Sequence, residues 1–221
     1  MDRGDNQTPA QPSERRPKIG VLALQGDFAE HMRMLEAVGA EAVAVRLPEH
    51  LRGLDGLIIP GGESTTIGKL MVDYNLVEPL RQLIRQGTPV WGTCAGLILL
   101  AREADNAKEG QPLLATMDIA VCRNAFGSQR ESFEADLPIP VLGNKPFHTV
   151  FIRGPVVERV GPAVEVLARL DNGAIVAVRQ DSVLGTAFHP EVTDDYRFHE
   201  YFVQLVQSRR QQACTADSPS A

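Results

Sequence analysis

The chain has few cysteines. Cys94, Cys122 and Cys214 are the only three in 221 residues, too few and too scattered for a disulfide framework or a CxxC metal site. Reduced thiols are therefore expected. No apolar run reaches the roughly 18–20 residues that a membrane helix needs, and Met1 to Lys18 lacks the hydrophobic core of a secretion signal. There is no Lys/Arg block either. Lys and Arg total 22 against 28 Asp and Glu, a net charge of −6, which argues against binding a nucleic-acid backbone. No Gly-Lys-Ser/Thr and no GxGxxG occurs, so neither a phosphate-binding P-loop nor a dinucleotide fingerprint is present. These absences predict a soluble, cytoplasmic protein without a membrane or nucleic-acid partner, and no pattern calls for a metal or a cofactor.

What is present suits one folded domain. Apolar types make up 43% of the chain, enough for a sizeable core. Residues 1–17 and 211–221 are polar and small, and both read as disordered tails around a domain spanning 18–210. Within it, Ile19 to Leu24 reads as a buried strand. A helix follows, with Phe28, Met32 and Leu35 on one face and Gly39 as its stop. Ala42 to Arg46 and Gly56 to Ile59 are further strands. Leu80, Leu83 and Ile84 mark a helix closed by Gly87, and Pro89 to Thr93 is a strand running straight into the helical Ala95 to Leu100. Both faces of these strands are apolar, as in a parallel sheet covered by helices. Arg102 to Pro112 reads as a charged loop. The second half alternates instead, at Phe133, Ala135 and Leu137 and again at Val164, Val166 and Ala168, which predicts antiparallel strands. Two more strands follow, from Gly173 to Val178 and from Ser182 to Phe188. A last helix carries Phe198, Tyr201, Phe202, Leu205 and Val206. The predicted class is α/β, a three-layer, mostly parallel sheet with a small antiparallel insertion.

Ligands of open parallel sheets bind beyond the carboxyl ends of the strands, and three such segments carry chemistry. Gly92-Thr-Cys-Ala-Gly96 places a thiol between two residues without side chains, so the backbone can turn sharply from strand to helix and expose Cys94. A helix N-terminus there favours the thiolate. The bland alternative is a structural cysteine at a tight turn. Phe188-His-Pro-Glu191 ends the last strand. If the chain stays extended, His189 and Glu191 project to one side, a base and the group that orients it; the bland alternative is a surface histidine beside a turn. Pro60-Gly-Gly-Glu-Ser-Thr-Thr66 leaves backbone N–H groups uncovered after a strand, suited to an oxyanion or carboxylate. It could equally be a plain turn with Ser64 or Thr65 as the helix cap. Cys122 and Cys214 lack such a setting, and His50, His148 and His199 read as surface or packing residues.

PGGES, GTCAG and FHPE in this order resemble the class I, triad-type glutamine amidotransferases, whose fold is flavodoxin-like. Within that class the chain is most similar to the glutaminase subunits of pyridoxal 5′-phosphate synthase. Leu24-Gln-Gly-x-x-x-Glu-His31, Arg123-Asn-x-Phe-Gly127, Ser132-Phe-Glu-Ala135 and Phe151-Ile-Arg153 carry the likeness further, from about Lys18 to about Gln207. The resemblance implies that Cys94 attacks the side-chain amide of glutamine, His189 relays the proton and Glu191 supports the imidazolium. It implies an oxyanion hole from the Gly62 and Ala95 amides, and glutamine contacts at Gly62, Glu63, Ser64, Arg123, Ile152 and Arg153. It further implies docking on a (β/α)8-barrel synthase subunit, with Gln25, Gly26, Glu30 and His31 near that contact. On the residues alone, Glu30 and His31 read as a solvated helix face. Two other functions compete: a stand-alone γ-glutamyl or protease-like cysteine hydrolase, and a non-catalytic regulatory module with a vestigial triad.

Overall fold

The computed structural model describes residues 15–105, 110–123 and 132–216. The first half alternates as its hydrophobic runs predict. It comprises β1 (Lys18–Leu22), α1 (Phe28–Ala37), β2 (Glu41–Val45), β3 (Gly56–Ile59), α2 (Ser64–Asp73), α3 (Val77–Arg85), β4 (Val90–Thr93) and α4 (Ala95–Leu100). The second half is β5 (Ala101–Asp105), β6 (Met117–Cys122), β7 (Ser132–Leu137), β8 (Phe147–Ile152), β9 (Val156–Val160), β10 (Glu165–Arg169), β11 (Ile175–Gln180), β12 (Val183–Thr186) and α5 (Arg197–Ala216). Short 3-10 turns lie at Pro48–Leu51, Pro140–Leu142 and Pro190–Val192.

One sheet of ten strands runs in the order β2-β1-β3-β4-β12-β11-β9-β6-β5, with β10 beside β11. From β2 to β12 every pairing is parallel, and β1, β3, β4 and β12 are apolar and almost wholly buried. That continuous burial is the mark of a sheet covered on both faces. α1 packs with α5 and α2 with α4. Because the chain leaves β1 towards β2 and then returns to β3 on the other side, right-handed crossovers put these helix pairs on opposite faces. The α/β class with a mostly parallel sheet is thus observed. The antiparallel part is divided: β9, β10 and β11 extend the main sheet, while β7 and β8 form a separate two-stranded piece.

Register explains where the chemistry falls. β4 and β12 are neighbours with Thr93 opposite Thr186, so the residues that follow each strand emerge at one end of the sheet. Those residues lead to Cys94 and His189. The reversal of strand order beside β1 opens a crevice at the same end, where the turn after β1 meets the turn after β3: the Asp27 amide donates to the Gly61 carbonyl at 3.2 Å. Aromatic packing fixes the second half against this frame. Phe147 and Phe151 of β8 contact Phe188, and Phe198 of α5 contacts both Phe147 and Phe188. Arg197 clasps the approach to β8, donating to the carbonyls of Lys145 and Pro146 at 2.7 and 2.9 Å.

Several sequence expectations need correction. Arg102 to Asp105 is not loop but the edge strand β5, whose charged side chains suit an edge exposed to water. Its Glu103 pairs with Arg159 of β9. Residues 106–109, the rest of that stretch before Gly110, lie outside the described residues. Arg15 to Pro17, expected in the N-terminal tail, are tied down: Arg15 pairs with Asp55 at 2.7 Å, and Arg16 donates to the carbonyls of Gly39 and Ala40. α5 continues past Gln211 to Ala216, because a helix anchored by Phe198, Phe202 and Val206 carries its polar end onward. Residues 1–14 and 217–221 lie outside the described residues. The α2 cap is Glu63, not Ser64 or Thr65: its carboxylate accepts from the Thr65 and Thr66 amides. On α1 the expected Phe28, Met32 and Leu35 do pack against the core, and the inward face is wider than expected, with His31 and Met34 fully buried beside them.

Candidate active site

Cys94 stands between β4 and α4 with φ 48° and ψ −100°, a backbone conformation that costs an L-residue roughly 1–3 kcal/mol. The two glycines make the turn possible. A Cβ on Gly96 would collide with the Ile59 carbonyl, and one on Gly92 would meet the Gly96 backbone. The Cys94 amide is held by the Thr186 carbonyl at 2.8 Å, which ties the elbow to the strand that delivers His189. The sulfur is almost buried and lies 3.9 Å from the Ile152 carbonyl. The amide of Ala95, first residue of α4, belongs to the unbonded first turn of a helix and lies next to the sulfur in sequence.

His189 and Glu191 meet, but not by the extended geometry expected. Pro190 opens a 3-10 turn directly after His189, and that turn brings Glu191 Oε1 to 2.7 Å from His189 Nδ1. The His189 amide donates to the Val150 carbonyl of β8 at 2.9 Å, and Gly61 is so close to the ring that any side chain there would strike it. Asp27 adds a second acid, 3.4 Å from the same Nδ1. The atoms of Asp27, His189 and Glu191 converge within 4.8 Å. Burial opposes charge on the ring. The neighbouring Asp27 carboxylate, Cys94 sulfur and Glu191 carboxylate outweigh that cost, and His189 is pushed up to about 12. Burial pushes Glu191 up as well, against the pull of the imidazolium. With Nδ1 committed to acids, the buried Nε2 has no hydrogen-bond partner of its own, which leaves it for the thiol.

The third segment is a braced turn. Gln25, after β1, accepts from the Glu63 amide at 2.7 Å. A Cβ on Gly62, whose φ is 150°, would press on that same Gln25 amide group, so only glycine fits. Gly26 is equally required: at φ 95° it has the Gly61 carbonyl where a Cβ would be. Glu63 takes donors from the Thr66 amide and hydroxyl at 2.6 and 2.7 Å. These bonds outweigh its burial and hold it down at about 2. Arg123 reaches across from the end of β6 to Glu63 at 3.3 Å and to Gln111 at 3.0 Å. Gln111 in turn donates to Ser64 Oγ at 3.2 Å. Ile152 and Arg153 follow from β8, Arg153 at φ 49°, and both are exposed. Asn124 to Gly127 lie outside the described residues.

The structure therefore gathers Cys94, Ala95, His189, Glu191 and the Ile152 carbonyl in one place, and Gly62, Glu63, Ser64 and Arg123 in a second, linked through Gln25, Gly26 and Asp27. Sequence reasoning missed Gln111, Asp27 and the brace formed by Gln25. It also misplaced His31, which is neither solvated nor at a surface that a partner could touch: it is wholly buried. Its i,i+4 spacing to Leu35 on α1 was the signal available. His199 is likewise wholly buried beneath Trp91. Glu30 is partly exposed.

Residues 21–208 match the model of the SNO glutamine amidotransferase family, and the chain belongs to that family. Among curated relatives, it is 60% identical over 188 residues to the pyridoxal 5′-phosphate synthase subunit PdxT of Herpetosiphon aurantiacus, covering 85% of this chain and 99% of that one. The PdxT of Roseiflexus sp. is 57% identical over 187 residues, again covering 85% and 99%. A crystal structure of a glutamine amidotransferase superposes with a TM-score of 0.80 at 52% identity, covering 85% of this chain and 98% of that one. The resemblance read from the sequence motifs is borne out. No described helix is long and apolar enough to cross a membrane.

Proposed function

We propose that this chain hydrolyses L-glutamine to glutamate and ammonia with Cys94, His189 and Glu191, and passes the ammonia to a synthase subunit that builds pyridoxal 5′-phosphate. The observation that carries the proposal is a buried, doubly acid-backed imidazole beside a thiol at a strained elbow, in a member of a glutamine amidotransferase family. His189 takes the thiol proton, and the Cys94 sulfur adds to the amide carbon of glutamine. The resulting oxyanion is met by the Ala95 and Gly62 amides. His189 returns the proton to the leaving nitrogen, ammonia departs, and a γ-glutamyl thioester remains. Water then attacks with His189 as base, releasing glutamate and the thiol. Glu191 stays ionised beside the imidazolium throughout.

Substrate recognition falls to the braced turn and the end of β8. Arg123 and Arg153 supply positive charge for the α-carboxylate, with Gly62, Glu63, Ser64 and Ile152 lining the approach. The partner is a (β/α)8-barrel synthase, docking near Gln25, Gly26 and Glu30. Ammonia released into water would be lost to the second reaction, which is the chemical reason for a docked pair. Gln25 joins that face to the Gly62 turn, so docking acts on oxyanion stabilisation, and the isolated chain is the slower glutaminase. Three scattered cysteines suit a reducing compartment, and the cytoplasm is the location this reading assigns.

The test is a glutaminase assay with and without a matching synthase subunit. Cys94→Ala is expected to lower ammonia release by at least about a thousandfold while leaving docking intact. Equal rates with and without the synthase would refute the activation part. Full activity of Cys94→Ala would refute the triad.

A further inference from the structure

Glu191 has two oxygens, and the triad uses one. Oε1 receives His189; Oε2 is buried and lacks an aligned hydrogen bond. Its neighbour is His31 Nε2 at 3.3 Å, on a side chain with no exposure to water. The same Nε2 lies 3.1 Å from Thr93 Oγ1, directly before the nucleophile. On the other edge of the ring, His31 Nδ1 is 3.0 Å from His199 Nε2, while His199 Nδ1 is buried without a partner. An unpartnered ring nitrogen in an apolar site is best left as a lone pair, since a buried N–H without an acceptor is the costlier orphan. That places the His199 proton on Nε2, where it donates to His31 Nδ1, and leaves His31 with its own proton on Nε2. Burial keeps both rings neutral, with His199 brought down to about 3.

From this geometry, and resting on the triad reading above, we propose that His31 is a positioning residue for catalysis: its Nε2–H, fixed by His199, is shared between Thr93 and the free oxygen of Glu191. When His189 holds the thiol proton, Glu191 faces an imidazolium on one oxygen and needs a donor on the other. His31 supplies it without bringing a charge. The ionisable groups around the ring are Glu191 and His189 from the turn after β12, His199 from α5 and Asp27 ahead of α1; Trp91 packs edge-on against it. The series of polar contacts therefore extends from His189 through Glu191 to two histidines that no solvent reaches.

Two amide substitutions separate positioning from packing. Glutamine can place a donor where Nε2 was; asparagine reaches only the Nδ1 position. With the full chain and its synthase, His31→Asn is expected to lower kcat about 10- to 100-fold, with KM for glutamine within about twofold. The acid limb of kcat/KM moves with it. His31→Gln is expected to stay within about threefold of wild type in all three. His199→Phe, which frees the His31 tautomer, is expected to fall between them. Alkylation of Cys94 by iodoacetamide across pH, which needs neither glutamine nor a partner, should show the same ranking. Two results overturn the proposal: His31→Asn indistinguishable from wild type, or His31→Gln as impaired as His31→Asn with equal thermal unfolding. A wild type that releases no ammonia from glutamine would sink the glutaminase reading instead, and the alkylation ranking would still judge His31.

Discussion

Among the described residues, the two shortest histidine–carboxylate contacts have nearly equal length and opposite circumstance. His189 and Glu191 meet at 2.7 Å with side chains 4% and 0% exposed. His148 and Asp136 meet at 2.8 Å across the β7–β8 ladder, 48% and 70% exposed. Both imidazoles are shifted upward, the second by its bond to Asp136 with further help from Glu134. Distance and direction of shift do not separate them. Surroundings do. In water the outer pair is screened and its carboxylate is free to turn away, whereas the inner one is clamped by a 3-10 turn, by Gly61 against the ring and by His31 behind the acid. Only the clamped pair leaves its far nitrogen buried and unpartnered, open to the thiol of the elbow.

The sharpest way to break this comparison is to neutralise the acid in each. Glu191→Gln is expected to reduce kcat by roughly a hundred- to ten-thousandfold, because the imidazolium loses its counter-charge and the ring its orientation. Asp136→Asn should leave kcat within about twofold, measured in the same coupled assay. What Asp136→Asn does change is a small pH dependence of stability. His148 is raised in the folded chain, so its contribution is complete below the unfolded histidine value near pH 6.5 and fades as pH rises through the folded one. Thermal unfolding in low salt should lose that trend in the variant.

A smaller effect sharpens the contrast at the substrate turn. Glu63 is partly exposed like Asp136, yet anchored like Glu191, since it caps α2 with two amides. Glu63→Ala is expected to cost about 1 kcal/mol and to raise KM for glutamine more than it lowers kcat. Its folded value near 2 lies below the ordinary glutamate value. The stabilisation is therefore present above about pH 4.5 and is lost as pH falls towards 2. Acid unfolding of Glu63→Gln should show a shallower slope over that window.

The parallel frame and the nucleophile were readable because both are written locally. Apolar runs of strand length, a thiol between glycines and a His-Pro-Glu tripeptide each declare themselves within seven residues or fewer. His31 and His199 could not be read that way. They are 168 residues apart, and each looks polar within an amphipathic helix until α1 and α5 are packed together. Asp27 and Gln25 were hidden for a related reason. Gln25 finds its partner in the turn after β3 and the Asp27 carboxylate finds His189 after β12, and only the order of strands in the sheet brings those turns beside them. Gln111 and Arg123 reach the start of α2 from either side of β6, Gln111 at Ser64 and Arg123 at Glu63, a meeting set by the sheet rather than by spacing. The tail limits erred at Arg15 and beyond Gln211 because composition records polarity but not whether a guanidinium finds carbonyls or a helix has momentum from its anchored half.

The left-handed twist at position 94 carries an evolutionary consequence. Any side chain there makes the fold less secure, and cysteine is kept for what its sulfur does. Comparing Cys94→Gly with Cys94→Ala isolates that burden, since both lack the thiol and only alanine keeps a Cβ in the awkward conformation. The glycine version should unfold later by about 1 kcal/mol. A lineage that abandoned the reaction would drift towards glycine at this spot and grow sturdier for it; retention of the thiol is a standing sacrifice of robustness for chemistry.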